Sequence, residues 1–340
     1  MSFKKSILKV FVALLLIPFL LNISCGKNGQ QEGKDFPKNK TEEKNVKCHI
    51  QMGWIPDAHQ VGFWVALEKG IYMTEGLDLE IFPGGLDTSP SRAVATGAAE
   101  FGQISGVEQL ITARESGLPI QLIAAIHQES PHALISLNAA IKVPNDVKGK
   151  RIAVAFGDAA EIHFKNMLKQ YNIEISDVKL VPFRFNLQPL IDRDVDAVTG
   201  FSTDQPMTLK YQGYKPTILA YRDFGIHRYG YCLILKENNE KSLRIASKFL
   251  KASREGWKKA FDNPDEAVNI LMHLFPGKVV KEIEIMKMEA IRPIMLNQEG
   301  VLSEWKISSK LIKDAQETML EYGQIKSRID IENSYINIEY

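Results

Sequence analysis

Strand-like and helix-like segments alternate from Cys48 to Leu235, and this alternation narrows the fold to an α/β class with mainly parallel sheet. Cys48–Trp54 reads as a first strand and Gly62–Lys69 as a first helix, closed by Gly70. Leu77–Phe82 is a second strand running out at Pro83-Gly84-Gly85, after which Asp87-Thr88 caps a short helix through Ala95, stopped by Gly97. Strands Glu100–Ile104 and Ile120–Ile126 flank a helix over Val107–Glu115, and Ala133–Leu137 leads away. A second group follows: strand Arg151–Ala155, helix Ala159–Tyr171, strand Val178–Pro182, short helix Leu187–Arg193, and strands Val195–Gly200 and Thr217–Tyr221. Tyr229–Leu235 then carries the chain back to the first group. From Lys241 onward the pattern is helical, with Leu243, Ala246, Phe249, Leu250, Trp257 and Phe261 recurring on one face. Asn263-Pro264-Asp265-Glu266 reads as the capped start of another helix. One group, a second and a return predict two lobes joined by two crossing strands: 46–136 with 231–340, and 137–230. Such lobes hinge about the crossings and close on something held between them.

The first 25 residues are an address label. Lys4, Lys5 and Lys9 precede an apolar run from Val10 to Leu21, too short for the about 20 residues that span a bilayer but right for a signal peptide. Cys25 stands where lipoprotein processing would remove residues 1–24 and acylate the thiol, anchoring the protein without a spanning helix. Asn22 occupies a position where such signals usually carry Leu, and an ordinary secretory signal is the alternative. Residues 25–45 have almost no apolar content and read as a flexible tether. Without residues 1–24 the chain carries 39 basic against 41 acidic residues, a balance that excludes the basic footprint of a nucleic-acid binder. Cys48 and Cys232 either pair in an oxidising compartment or stay as buried thiols, and neither has metal-ligand spacing.

Trp54-Ile55-Pro56-Asp57-Ala58-His59-Gln60-Val61-Gly62, with Ala66, Glu68-Lys69-Gly70, Tyr72 and Glu75-Gly76-Leu77, resembles the opening of one family. Its members are solute-binding proteins of ATP-driven (ABC) importers for thiamine-pyrimidine precursors, with relatives for riboflavin, taurine, alkanesulfonates and nitrate. The likeness continues through Gly84-Gly85, Ala98–Gly102, Glu108-Gln109, Ala113-Arg114, Gly117-Leu118-Pro119, Val147–Lys150, Val195-Asp196-Ala197, Thr203–Pro206, Asp223–Ile226 and Tyr229-Gly230. It implies a two-lobed periplasmic-binding-protein type 2 fold, with two mixed sheets flanked by helices and a double-crossover hinge. Asp57 stands where the family often has Asn, and Asp204-Gln205 where it often has Asn-Glu.

Ligands of open α/β lobes sit beyond the carboxyl ends of the strands. Five segments meet that rule: Trp54–His59, Gly84–Ser89, Ser105–Glu108, Phe156–Glu161 and Gly200–Pro206. The candidate ligand-binding residues are Trp54, Asp57, His59, Gly84, Gly85, Thr88, Ser105, Glu108, Asp158, Glu161, Asp204 and Tyr229. Trp54 reads either as a stacking platform or as a core aromatic. His59 reads as a contact or a capping histidine, and Gly84-Gly85 as a close approach to solute or a plain turn. Phe156 and Phe201 fit a core or a cleft wall. Asp158 and Glu161 open a helix whose bare N-terminus would suit an anion. Two carboxylates there favour a ring bearing amino groups over a sulfonate or nitrate, while Thr88 and Ser89 leave an anion site open elsewhere.

The expected function is therefore extracytoplasmic capture of a small nitrogen heterocycle, without catalysis, cofactor or metal. Permease and ATPase subunits are the expected partners, because the chain has no GxxxxGK[ST] motif of its own. The protein is expected to be monomeric and membrane-anchored through Cys25. Other classes are an enzyme on the same scaffold and a sensory or adhesive lipoprotein. Fungal pyrimidine synthases of this architecture carry a cysteine-rich iron motif that three scattered cysteines cannot supply.

Overall fold

The computed structural model describes residues 45–340, so the signal peptide, Cys25 and nearly all of the tether lie outside the described residues. Among the described residues, ten strands form two five-stranded mixed sheets. β1 (Val46–Gln51), β2 (Leu77–Phe82), β3 (Phe101–Ile104), β4 (Ile120–Ala125) and β10 (Cys232–Lys236) build the first sheet in the order β2-β1-β3-β10-β4. β5 (His132–Ser136), β6 (Arg151–Val154), β7 (Lys179–Pro182), β8 (Ala197–Phe201) and β9 (Thr217–Ala220) build the second in the order β7-β6-β8-β5-β9. The antiparallel members are the strands next to the crossings. β10 runs against β3 and β4, and β5 against β8 and β9. A chain that enters a sheet from its neighbour instead of from a crossover helix is free of the parallel constraint.

Central strands read as near-continuous apolar runs because both faces are covered. In β10, Leu233 and Leu235 join one core and Cys232 and Ile234 the other. In β5, Leu134 and Ile135 are divided in the same way. The return strand starts at Cys232, three residues later than its composition suggests, and Tyr229–Tyr231 belongs to the crossing. Cys48 and Cys232 are buried free thiols, and burial pushes the Cys48 thiol up to about 12.

The long helix Glu240–Asp262, capped by Asn239 accepting from the Ser242 N–H, buries Ala246, Phe249, Leu250, Trp257 and Phe261 under the first sheet. It crosses the helix Val61–Glu68 at two glycines. A Cβ on Gly256 would lie 2.2 Å from the Gly62 carbonyl oxygen, and one on Gly62 would lie 2.3 Å from Trp257 Cγ. Neither neighbour can yield, since one is backbone and the other a fully buried ring. Gly256→Ala should therefore destabilise the fold by at least about 1–3 kcal/mol, the usual cost of overpacking. Urea unfolding checks this, and a loss below roughly 0.5 kcal/mol, the range of surface substitutions, would refute the close crossing.

Candidate functional site

The carboxyl ends of the strands of both sheets converge on one cavity of about 220 Å³. From the first sheet come Gly53, Trp54 and Asp57 after β1, Gly85 and Thr88 after β2, and Ser105 after β3. Ala155 and Asp158 after β6, Phe185 after β7, and Phe201 and Asp204 around the end of β8 come from the second. All five segments expected from the strand-end rule contribute. Phe201 is a wall, whereas Phe156 does not line the cavity and is exposed.

Of the twelve candidate residues, eight line this cavity: Trp54, Asp57, His59, Gly85, Thr88, Ser105, Asp158 and Asp204. Four do not. Tyr229 is buried in the apolar core with its hydroxyl accepting from the Ser308 N–H at 2.8 Å, and Tyr231 takes the place beside the cavity. Glu108 is buried away from it, 2.9 Å from His163 Nε2 and 3.6 Å from Arg228 Nε. Glu161 folds back to accept from the Gly157 N–H at 2.8 Å and pairs with Lys165. Gly84 is a glycine because a Cβ would lie 2.3 Å from the Trp54 backbone nitrogen, so its close approach is to β1's extension and not to a solute. The cap after β2 is also corrected: Ser89 accepts from the Arg92 N–H and Pro90 opens the helix, leaving Thr88 to face the cavity.

The carboxylates fall into two groups. Asp57 and Asp204 are already engaged. Lys287, from the helix Lys281–Met295, places its Nζ 2.9 Å from Asp204 Oδ1, 3.1 Å from Glu284 Oε1 and 3.7 Å from Asp57 Oδ2. His59 Nδ1 sits 3.0 Å from Asp57 Oδ2, and its Nε2 lies 2.8 Å from Thr203 Oγ1 of the second lobe. Burial would raise the Asp57 carboxyl, but the charges on His59 and Lys287 outweigh it and hold it at about 2. Burial would conversely discharge His59, and Asp57 outweighs that, keeping its pKa above the ordinary value. Glu284 is pushed up, first by burial and then by Asp57. Lys287 escaped sequence reasoning because the helix pattern around it is amphipathic, and a lysine there reads as solvent-facing.

Asp158 is different. It caps the helix Ala159–Gln170 by accepting from the Ala160 N–H at 3.1 Å, and its nearest cationic candidate is His132 Nε2 at 4.0 Å. Burial keeps His132 well below its ordinary pKa, hence neutral, so it does not screen Asp158. Burial likewise raises the Asp158 carboxyl. Ser105 Oγ, at the cavity wall, is buried and has no hydrogen-bond partner. The cavity thus offers a carboxylate with no lysine or arginine paired to it, a buried hydroxyl without a partner and a half-buried tryptophan. That set can hold a flat ring with hydrogen-bond donors.

Residues 58–267 match the family model described as NMT1/THI5 like. A formylaminopyrimidine-binding protein of Halalkalibacterium halodurans is 25% identical over 303 residues, covering 86% of this chain and 87% of that protein. Riboflavin-binding protein RibY of Chloroflexus aurantiacus is 22% identical over 302 residues, covering 85% and 84%. Among solved structures, the periplasmic aliphatic sulphonate binding protein SsuA of Escherichia coli superposes with a TM-score of 0.68 at 13% identity, over 86% of this chain and 94% of that one. At that identity the likeness establishes the two-lobed fold.

Proposed function

The chain belongs to the NMT1/THI5-like family, and from that premise we propose that it is the extracytoplasmic solute-binding component of an ABC importer, taking up an aminopyrimidine of the thiamine-precursor class. The observation that carries this reading is Asp158: a carboxylate with no lysine or arginine paired to it, in a cavity that also holds the Trp54 ring. An amino group on a stacked heterocycle would donate to it, and charge-assisted hydrogen bonds contribute roughly 1.5–3 kcal/mol. A sulfonate or nitrate would be repelled there. The binding proteins similar over most of the chain support solute capture over catalysis.

Riboflavin is the nearest alternative, favoured by the second relative. With its lobes as they stand the cavity is about 220 Å³, below the roughly 300–1,000 Å³ of pockets for drug-sized ligands, so a tricyclic flavin with its sugar chain would have to part the lobes further than one pyrimidine ring. In the full reading Cys25 carries a lipid anchor, the protein acts as a monomer on the outer side of a membrane, and a permease and ATPase receive the solute. No helix among the described residues is long and apolar enough to cross a membrane.

A thermal-shift screen of the purified protein tests this, using formylaminopyrimidine, riboflavin, ethanesulfonate, taurine and nitrate. A ligand present at 100 times its dissociation constant adds about 2.7 kcal/mol of stability. Formylaminopyrimidine should give the largest shift, and a larger shift with any anion would overturn the assignment.

A further inference from the structure

We propose that Phe185 is the second jaw of an aromatic clamp, closing on the solute ring from the lobe opposite Trp54 and selecting for planar heterocycles. The inference rests on the solute-binding reading of the cavity and assigns to it a residue that neither the strand-end motifs nor the family likeness pointed to. Trp54 follows β1 of the first sheet, and Phe185 follows the edge strand β7 of the second. Their ring centroids are 5.2 Å apart with planes inclined at 53°, and both rings line the cavity. Apart from these two jaws, the nearest aromatic to Phe185 is Phe183 in its own lobe, at 5.3 Å.

Three features separate Phe185 from a core aromatic. It is 44% exposed, although burying a ring of that size is strongly favourable. Its backbone is in the left-handed region, φ 56°, which an L-residue with a bulky side chain seldom adopts. The other non-glycine residues of the described chain with positive φ are Asn172, Asn238 and Arg193, two of them the residue type that tolerates it best. A strained backbone that presents an apolar ring to a cavity is sustained by what the ring does there.

The spacing also says how the clamp works. Stacked rings sit roughly 4.5–7 Å apart, so a pyrimidine inserted between two jaws would set them about 9 Å or more apart. At 5.2 Å the jaws touch each other. Entry of the solute must part them, and the Trp54–Phe185 contact is then exchanged for two contacts with the ligand. A flat ring gains both, whereas an alkanesulfonate gains neither.

Calorimetric titration with formylaminopyrimidine, read together with tryptophan fluorescence, tests the clamp. Trp64, Trp257 and Trp305 are buried, so quenching on binding reports chiefly on Trp54. Phe185→Leu should weaken binding about 2- to 13-fold, the worth of one aromatic stacking pair, and Phe185→Tyr should stay within about 2-fold of wild type. Phe185→Gly should weaken binding at least as much as Leu yet leave the melting temperature unchanged or raised, since glycine accepts the positive φ without strain. Wild-type affinity in both the Leu and the Gly variants, with Trp54 still quenched, would overturn the clamp and leave the solute assignment standing. Wild-type protein that binds no pyrimidine would overturn the solute assignment, and the clamp with it.

Discussion

Lys287→Met is expected to cost about 3–5 kcal/mol of folding stability, the range for removing one partner from a buried ion pair. The side chain is buried, and three carboxylates, Asp57, Asp204 and Glu284, lie within 4 Å of its Nζ. Methionine keeps the volume and the flexible stem, so packing changes little and the loss reports charge. Glu284 already has a raised pKa from burial and Asp57, and in the variant it would take up a proton and limit the damage. Lys287→Met with Glu284→Gln should accordingly recover part of the loss. The pH dependence should move as well. Asp57 titrates at about 2 in the fold, below its ordinary 3.8, so its contribution is complete above about pH 4 and is lost as pH falls toward 2. Without Lys287 the folded pKa rises, that contribution shrinks, and acid unfolding begins at higher pH. Urea unfolding at pH 7 and acid titration of both variants check these points. A single variant within 1 kcal/mol of wild type, against the roughly 3–5 expected, would mean that the cluster is not organised by this lysine.

Local pattern carried most of the fold. Alternating segments, strand ends at Gly84-Gly85, and the Asn263-Pro264 cap are decided by residues within a few positions of one another, and the structure keeps them. The same locality made Trp54, Gly85, Asp57, His59 and Asp158 legible as strand-end residues of the cavity. Most of the misses depend on distant partners, Glu161 with its neighbours Gly157 and Lys165 being the exception. Tyr229 and Tyr231 are equivalent by strand alternation. The chain between them is crossing and not strand, and Gly230 donates its N–H to the His127 carbonyl, so one ring enters the core and the other the cavity wall. Glu161 and Glu108 carry the right chemistry, but Lys165, His163 and Arg228 take them. Lys287 reaches Asp57 only because the helix Lys281–Met295 packs back against the turn after β1, where Glu284 accepts from the Ala58 N–H at 2.7 Å across 226 positions. Phe185 is visible only in the fold, through its backbone angle, its exposure and its place beside Trp54.

The second large effect is expected on binding. Asp158→Asn keeps the helix cap, because asparagine caps as well as aspartate, and removes the cavity carboxylate that, unlike Asp57 and Asp204, has no lysine paired to it. Affinity for an aminopyrimidine should fall about 10- to 150-fold, the equivalent of a charge-assisted hydrogen bond, with the melting temperature of the unliganded protein nearly unchanged. An anionic solute would respond in the opposite sense, since the repulsion disappears. Calorimetric titration of wild-type and Asp158→Asn protein with formylaminopyrimidine and with ethanesulfonate is therefore the most direct test. Tight pyrimidine binding by the wild type, lost in the variant, with ethanesulfonate weak throughout, is the predicted result; tight ethanesulfonate binding to the wild type, undiminished by Asp158→Asn, would contradict it.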